Sequence, residues 1–370
     1  MSGESERQSQ SAPDPESAPR TREFTAPRTE LEARLIAIWE ELTEFRPIGI
    51  DDDFFELGGD SLLGARLFAE INKTLGKKLP VEALSQAPTI ERLAKLLSDA
   101  LGPASERPGI IALKSSGSRL PFFAFPGTAT HPLSFYHLAR LSDPEQPFFG
   151  LVYPEPSAER PYPTRIEDIA QRLLPDIRRI QPQGPYRLGG HSFGGFVAYE
   201  VAQQLIALGH EVSLLVLFDT WGKGFPAMRP LPERILDHLK HMGILGFQEK
   251  LAYLAEKAAA LRRTVTRAIG WSVGERSAHD LPDDVLEIIA INQNARIRYR
   301  PRPYSGRLVL LRAQRTPNWV GTRFGDPLLG WGSLAIKGIE VHTVPSDHWT
   351  LLHRENVPPL ARALNNYLRE

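Results

Sequence analysis

A serine enclosed by glycines near the middle of the chain restricts the fold more than any other feature of this sequence. The apolar run Tyr186–Leu188 predicts a strand that ends in Gly189 and Gly190, and Ser192 lies at the centre of the sequence GGHSFGG, at 189–195. The pattern G-x-S-x-G places a nucleophilic serine on a sharp turn between a strand and a helix. We therefore predict such a turn with Ser192 as the candidate nucleophile; the alternative is a glycine-rich turn with a bystander serine.

Short apolar runs alternate with helix-like stretches from Pro121 onward. This alternation predicts an α/β fold with a mainly parallel sheet. The region Leu231–Arg300 differs, because it contains successive helical patterns and no clear strand; we expect a helical lid at about 226–300, over the upper edge of the sheet. The predicted strands are 122–125, 148–152, 186–188, 213–218, 307–311 and 341–344.

A serine nucleophile requires a histidine base and an acid that orients the base. Because the acid precedes the histidine in this arrangement, Asp219, directly after the strand 213–218, is the favoured acid. The competing location, residues 312–325, contains no Asp or Glu. Asp347 is a rival acid, although its neighbour along the chain is the candidate base, and adjacent side chains in a loop tend to diverge.

His348 is the best-placed candidate for that base. It follows the last predicted strand and a short loop, and it precedes an apolar stretch suited to the last helix. His342 lies within the strand and His353 about one helical turn later, so we interpret both as structural or solvent-facing. His131 and His191 lie close to the site in sequence and are interpreted as loop or packing residues.

Two backbone N–H groups are expected to stabilise a developing oxyanion. Phe193, directly after the nucleophile, is the first candidate donor. The second should come from the loop after the strand 122–125, where Thr128 is the candidate because Pro126 has no N–H.

A second serine, Ser61, follows the acidic and aromatic segment DDDFFELGGD and begins a helical pattern. Further sets of apolar residues at helical spacing, ending at about Leu101, predict a small all-α bundle. Asp60 or Ser61 is suited to be an ordinary helix N-cap. A phosphate on Ser61 would also lie at the positive end of the helix.

Composition marks the remaining boundaries of the chain. Residues 1–22 contain no Val, Ile, Leu or aromatic side chain, so we predict a disordered tail. The sequence GPASERPG, at 102–109, predicts a linker. The predicted layout is a tail at 1–22, a helical domain at 23–101, a linker at 102–112 and an α/β domain at 113–370.

The absence of cysteine excludes disulfides, thiolate metal sites and a cysteine nucleophile. Lys and Arg together number 44, as do Asp and Glu, and no basic block is suited to nucleic acid or an anionic membrane. There is no signal-peptide pattern and no apolar run near the ~20 residues of a membrane span. We therefore expect a cytoplasmic protein without a metal site.

Residues 51–67 (DDDFFELGGDSLLGARL) closely resemble the attachment site of peptidyl and acyl carrier proteins, and the resemblance covers about 27–101. It implies a small all-α, four-helix carrier domain whose Ser61 carries a 4′-phosphopantetheine arm, which a phosphopantetheinyl transferase adds. Residues 108–370 resemble the terminal thioesterase domains of nonribosomal peptide and polyketide synthetases, which have an α/β-hydrolase fold with a helical lid. The matching motifs are 190–195, 218–221 and 346–349, whereas 126–131 departs from the common His-Pro-Ala-Gly-Gly loop.

The resemblance implies a function that joins the two serines. An acyl or peptidyl chain held as a thioester on Ser61 would pass to Ser192 and leave by hydrolysis or cyclisation. An upstream synthetase module would supply that chain, and because no such module precedes Ser61 here, we expect it on a separate protein or on another part of a split assembly line. The alternatives are an editing thioesterase, a general esterase, and a carrier module with an inactive hydrolase domain.

Overall fold

The computed structural model describes residues 24–43, 45–59, 61–77, 79, 81, 83–99, 109–128, 130–154, 161–244, 246, 250, 283–317 and 322–369. The predicted tail 1–22 and most of the predicted linker lie outside these residues. The helical pattern at 250–263 also lies outside them, apart from residue 250.

The amino-terminal part is a small helical bundle, as predicted. Its helices are α1 (Glu30–Thr43), α2 (Ser61–Leu75), α3 (Ala83–Gln86) and α4 (Ile90–Asp99). At the start of α1 the Thr29 hydroxyl accepts from the Glu32 N–H, and the Glu32 carboxylate accepts from the Thr29 N–H. This reciprocal cap satisfies backbone donors that a helix start leaves open. Apolar side chains at helical spacing, such as Leu35 and Trp39, are fully buried between the helices.

The rest of the chain forms an α/β domain around a seven-stranded sheet. Its strands are β1 (Ile110–Lys114), β2 (Phe122–Phe125), β3 (Phe148–Leu151), β4 (Tyr186–His191), β5 (Val212–Phe218), β7 (Leu308–Arg315) and β9 (Glu340–Asp347), and the short β6 (Ala227–Met228) pairs with β8 (Thr322–Arg323). The order is β1-β3-β2-β4-β5-β7-β9, and only β1 is antiparallel to its neighbour. The predicted, mainly parallel sheet is confirmed.

Two details differ from the sequence-based expectation. Residues 110–112, which we assigned to the linker, belong to β1, an edge strand that the alternation pattern did not reveal. Strand β4, which we expected to end in Gly189 and Gly190, continues one residue further, to His191.

Six α-helices of this domain are described, and four of them cover the two faces of the sheet. The six are α5 (Tyr136–Leu141), α6 (Ile166–Ile180), α7 (Phe193–Ala207), α8 (Leu231–Ile244), α9 (Asp283–Arg298) and α10 (Val357–Leu368). One face packs on α6 and α7, and the other on α5 and α10. The apolar cluster of this second face continues into the core of the helical bundle. Helices α8 and α9 lie within the predicted insertion, and none of the described helices is long and apolar enough to cross a membrane.

Parallel strands bring distant residues together at one edge of the sheet. Ser192 follows β4, Asp219 follows β5 and His348 follows β9. Because the carboxyl ends of parallel strands lie at the same edge, all three side chains meet there.

Candidate active site

The turn that holds Ser192 is strained, and it admits only glycine two positions before and two positions after the serine. Ser192 has φ 53° and ψ −117°, a conformation that side chains with a Cβ rarely adopt. A Cβ at Gly190 would lie 2.1 Å from the Gly194 carbonyl oxygen, and a Cβ at Gly194 would lie 2.1 Å from the Phe125 carbonyl oxygen. The glycines thus allow α7 to approach both β4 and β2 closely, while Ser192 projects from the sharp turn that joins β4 to α7.

The structure brings the three candidate catalytic side chains within hydrogen-bond distance. Nε2 of His348 lies 3.1 Å from Oγ of Ser192. Nδ1 of the same ring lies 2.7 Å from Oδ2 of Asp219. The arrangement is that of a nucleophile, a base and an orienting acid.

The carboxylate of Asp219 is fixed by further donors. It is buried, with 3% of its surface exposed. Its Oδ1 accepts from the backbone N–H of Ala313, and its Oδ2 also accepts from the indole N–H of Trp221. The Trp221 ring covers His348 at a centroid distance of 4.2 Å. The acid and the base are therefore held in one orientation and shielded from water.

The residues that we set aside from the sequence make other contacts. Asp347, the rival acid, pairs with Arg315 and accepts from backbone N–H groups of its own turn. His342 contacts the hydroxyl of Tyr367. Nδ1 of His353 lies 3.6 Å from Oε1 of Glu355 at the surface.

His191 has a closer relation to the site than sequence reasoning predicted. Its Nε2–H donates to the backbone carbonyl of His348, at 3.1 Å. Burial, together with the neighbouring His348, lowers the pKa of His191 to about 3. The imidazole is therefore neutral near pH 7 and remains a single N–H donor that fixes the backbone of His348. Its position directly before the nucleophile was the only available signal.

The candidate oxyanion donors lie on either side of Ser192. Phe193 is the first residue of α7, so its N–H has no partner within the helix. Thr128 is buried and lines a cavity that Ser192 also lines. Its hydroxyl has no hydrogen-bond partner among the described residues. The hydroxyl of Tyr153 donates to the carbonyl of Pro126 and so fixes the loop that leads to Thr128.

A cavity of about 390 Å³ extends from Ser192 and His348. Aromatic side chains form part of its walls. They include Phe193, Phe196, Trp221, Phe225 and Trp349. Helix α9 contributes Gln293 and Arg296, so the insertion supplies one side of the cavity. The volume and the mixed polarity suit a partly apolar chain whose reactive end lies at Ser192.

Ser61 is the first residue of α2, as its sequence context predicts. The N–H groups of the first helical turn have no intrahelical partner, so this end of α2 favours a phosphate. Gly59 packs so closely on Phe54 that a Cβ there would lie 2.4 Å from its ring. A Cβ at Gly58, where φ is +85°, would meet nothing within 4 Å, so the backbone before Ser61 borders open space. This local geometry fits a phosphodiester on Ser61.

The loop before Ser61 also contacts the α/β domain. Oδ2 of Asp53 accepts from the Tyr136 hydroxyl at 2.9 Å, and Arg140 lies 3.6 Å from the same oxygen. The ring of Phe55 stacks on Tyr136 at a centroid distance of 3.9 Å. Burial and the Asp53 charge raise the pKa of Tyr136 to about 12, so it remains a hydrogen-bond donor.

Two more contacts extend this interface towards the active-site loops. Arg354 pairs with Glu56, with a distance of 2.7 Å between Nη2 and Oε2. Helix α2 contacts the short 3-10 turn Pro132–Phe135, which follows the loop that holds Thr128. The bundle therefore packs beside the loops that carry two candidate active-site residues.

A parallel sheet with serine, histidine and aspartate at its carboxyl edge defines an α/β-hydrolase. Residues 120–368 match the thioesterase domain family, and residues 33–97 match the phosphopantetheine attachment site. The chain therefore belongs to the thioesterase family, and a carrier domain that receives a covalent 4′-phosphopantetheine on a serine precedes its thioesterase domain.

Similar proteins are large synthetases. The chain is 31% identical to the chondramide synthase of Chondromyces crocatus over 94% of its own length but only 9% of that protein. It is 39% identical to the indigoidine synthase of Dickeya dadantii, over 56% of this chain and 14% of that enzyme. The crystal structure of a four-domain nonribosomal peptide synthetase bound to AMP and glycine matches 96% of this chain and 27% of that one, with a TM-score of 0.54 and 24% identity. The chain thus spans a small part of these proteins.

Proposed function

We propose that this chain releases an acyl or peptidyl chain at the end of its synthesis. The acyl or peptidyl group is delivered as a thioester on the phosphopantetheine arm of Ser61 and is transferred to Ser192. It then leaves by hydrolysis or by attack of a nucleophile within the same acyl or peptidyl group. The assembled contacts among Ser192, His348 and Asp219, in one polypeptide with a carrier domain, carry this proposal.

In the proposed mechanism His348 is the general base. Nε2 of His348 takes the proton of Ser192 as Oγ attacks the thioester carbonyl. The N–H groups of Phe193 and Thr128 stabilise the oxyanion. His348 then gives its proton to the departing sulfur, and an ester to Ser192 remains. In the second half, His348 deprotonates water or an internal nucleophile, and the proton returns to Oγ of Ser192.

The 4′-phosphopantetheine arm, when bound, supplies the thiol that this cysteine-free chain lacks. Ser61 would hold it through a phosphodiester, and the first turn of α2 would favour its charge. A phosphopantetheinyl transferase is thus one required partner. An upstream synthetase module that loads the chain is the other, and the synthetase relatives support both.

We assign the carrier domain to residues 23–101 and the thioesterase domain to residue 110 onward. The start of β1 at Ile110 supports the second boundary.

The most direct test of the function is intact-protein mass spectrometry. The protein is modified on Ser61, loaded with candidate acyl groups, and followed over time. Loss of the acyl mass with appearance of a free acid or cyclic product supports the proposal, whereas an acyl mass that persists contradicts it.

Asp219→Asn should lower the rate of release about ten-thousandfold. The amide retains the volume of Asp219 but has no charge to stabilise the imidazolium of His348, and it favours the wrong tautomer. Single-turnover release from the loaded carrier measures the effect. Asp347→Asn is the matched control, since that carboxylate pairs with Arg315 outside the triad. A larger loss in the control than in Asp219→Asn would reverse the assignment of the acid.

Tyr136→Phe should slow release from the loaded carrier about tenfold, because Asp53 loses a buried donor at the interface between the domains. Hydrolysis of a free thioester should keep its rate. Tyr186→Phe is the control, because it removes a buried hydroxyl that donates to Gln181, away from this interface. Equal effects of both variants on both substrates would mean that the Tyr136 contact has no part in delivery.

A further inference from the structure

One cation of the candidate acyl cavity has no anionic partner in the described part of the chain. Arg296, on α9, lines the cavity together with Ser192 and His348. Its Nε donates to Oε1 of Gln293 at 3.2 Å, and its Nη groups make no hydrogen bond to any of the described residues. Burial lowers the pKa of Arg296, and no neighbouring charge among the described residues offsets that effect.

The described lining of the cavity contains no carboxylate. Lys223, an exposed side chain, is its second cation. Arg296 is partly buried, and a guanidinium with reduced access to water is costly unless an anion pairs with it. Its planar pair of donors matches a carboxylate in a two-point contact, which a neutral carbonyl cannot reproduce. Gln293, itself buried, fixes the orientation of the group.

We infer that Arg296 binds a carboxylate of the chain that Ser192 receives, so that the substrates are acyl or peptidyl chains with a free acidic group distal to the thioester. This inference rests on the proposed function and specifies its substrate class. The aromatic walls would enclose the apolar middle of the chain, and Arg296 would fix its acidic end. Chains without that group would leave the guanidinium desolvated and unpaired.

The test uses the full chain, modified on Ser61 and loaded with matched pairs of acyl groups. Each pair consists of a straight dicarboxylic chain, from adipoyl to sebacoyl, and its ω-carboxamide, so that length and volume are conserved. Single-turnover release is followed by intact mass spectrometry. For the wild-type protein, we expect at least one chain length to be released about 10- to 100-fold faster as the carboxylate than as the amide.

In Arg296→Gln the ratio of carboxylate to amide release should fall to about 1. In Arg296→Lys, which keeps the charge without the planar fork, it should be intermediate. Arg298→Gln is the matched control and should keep the ratio, because Arg298 is an exposed arginine of the same helix that does not line the cavity. The ratio is an internal measure, so a uniform loss of folded protein does not alter it.

Two results would overturn the inference: equal release of the acid and the amide by the wild-type protein at every length, or a ratio that survives in Arg296→Gln. Failure of the wild-type protein to release any member of the series, together with no hydrolysis of a free thioester, would contradict the proposed function instead.

Discussion

Ser192→Ala should leave the acyl chain on the carrier, with the rate of release reduced about a millionfold. The substitution removes the oxygen that attacks the thioester, and neither His348 nor the oxyanion donors can replace it. Modification and loading of Ser61 should proceed as in the wild-type protein. The loaded mass should therefore persist in the mass spectrum for as long as spontaneous hydrolysis allows.

A second serine provides the control for this variant. Ser213 lies on β5, and its hydroxyl donates to the carbonyl of Tyr186, at the opposite end of the strand from the active site. Ser213→Ala should release its chain at the wild-type rate. If Ser192→Ala also did so, the nucleophile would be another group, and the role of Ser192 in the proposed function would be wrong.

The parts of the site that the sequence predicts are those with a local signal. Ser192 is marked by its flanking glycines, whose steric cause the structure supplies. Asp219 and His348 each follow an apolar strand, and parallel strands end at a common edge. The three side chains meet within hydrogen-bond distance because this rule of topology holds for the observed sheet.

Other contacts depend on packing between segments that are distant in sequence, and no pattern reveals them. His191 was interpreted as a packing residue, yet it donates to the backbone of His348, 157 positions away. The Trp221 indole packs on His348 only because β5 and β9, separated by β7, end at the same edge of the sheet. Likewise, Asp53 and Tyr136 meet only when the two domains pack together.

Delivery of the substrate by the carrier domain, as proposed, would allow a cavity with apolar walls to be selective. A tethered chain reaches the cavity without binding from solution, so its affinity need not be high. Differences among loaded chains then arise at the cavity itself, where aromatic walls accept many apolar segments. A single oriented charge, such as that of Arg296, discriminates more sharply than additional apolar surface would.

Ser61→Ala should abolish release of a tethered chain while hydrolysis of a free thioester continues at the wild-type rate. The variant has no hydroxyl for the phosphodiester, so treatment with a phosphopantetheinyl transferase should give no gain in mass. A free N-acetylcysteamine thioester reaches Ser192 without the carrier and measures the thioesterase domain alone.

Ser98→Ala, in α4, is the matched control, because the Ser98 hydroxyl donates to the carbonyl of Ala94 within the helix. A gain in mass of Ser61→Ala would contradict attachment of the arm to Ser61, and so would the lack of a gain in mass of the wild-type protein. Loss of both activities would mean instead that Ser61 supports the fold, whereas loss of tethered release alone separates the anchor from the nucleophile.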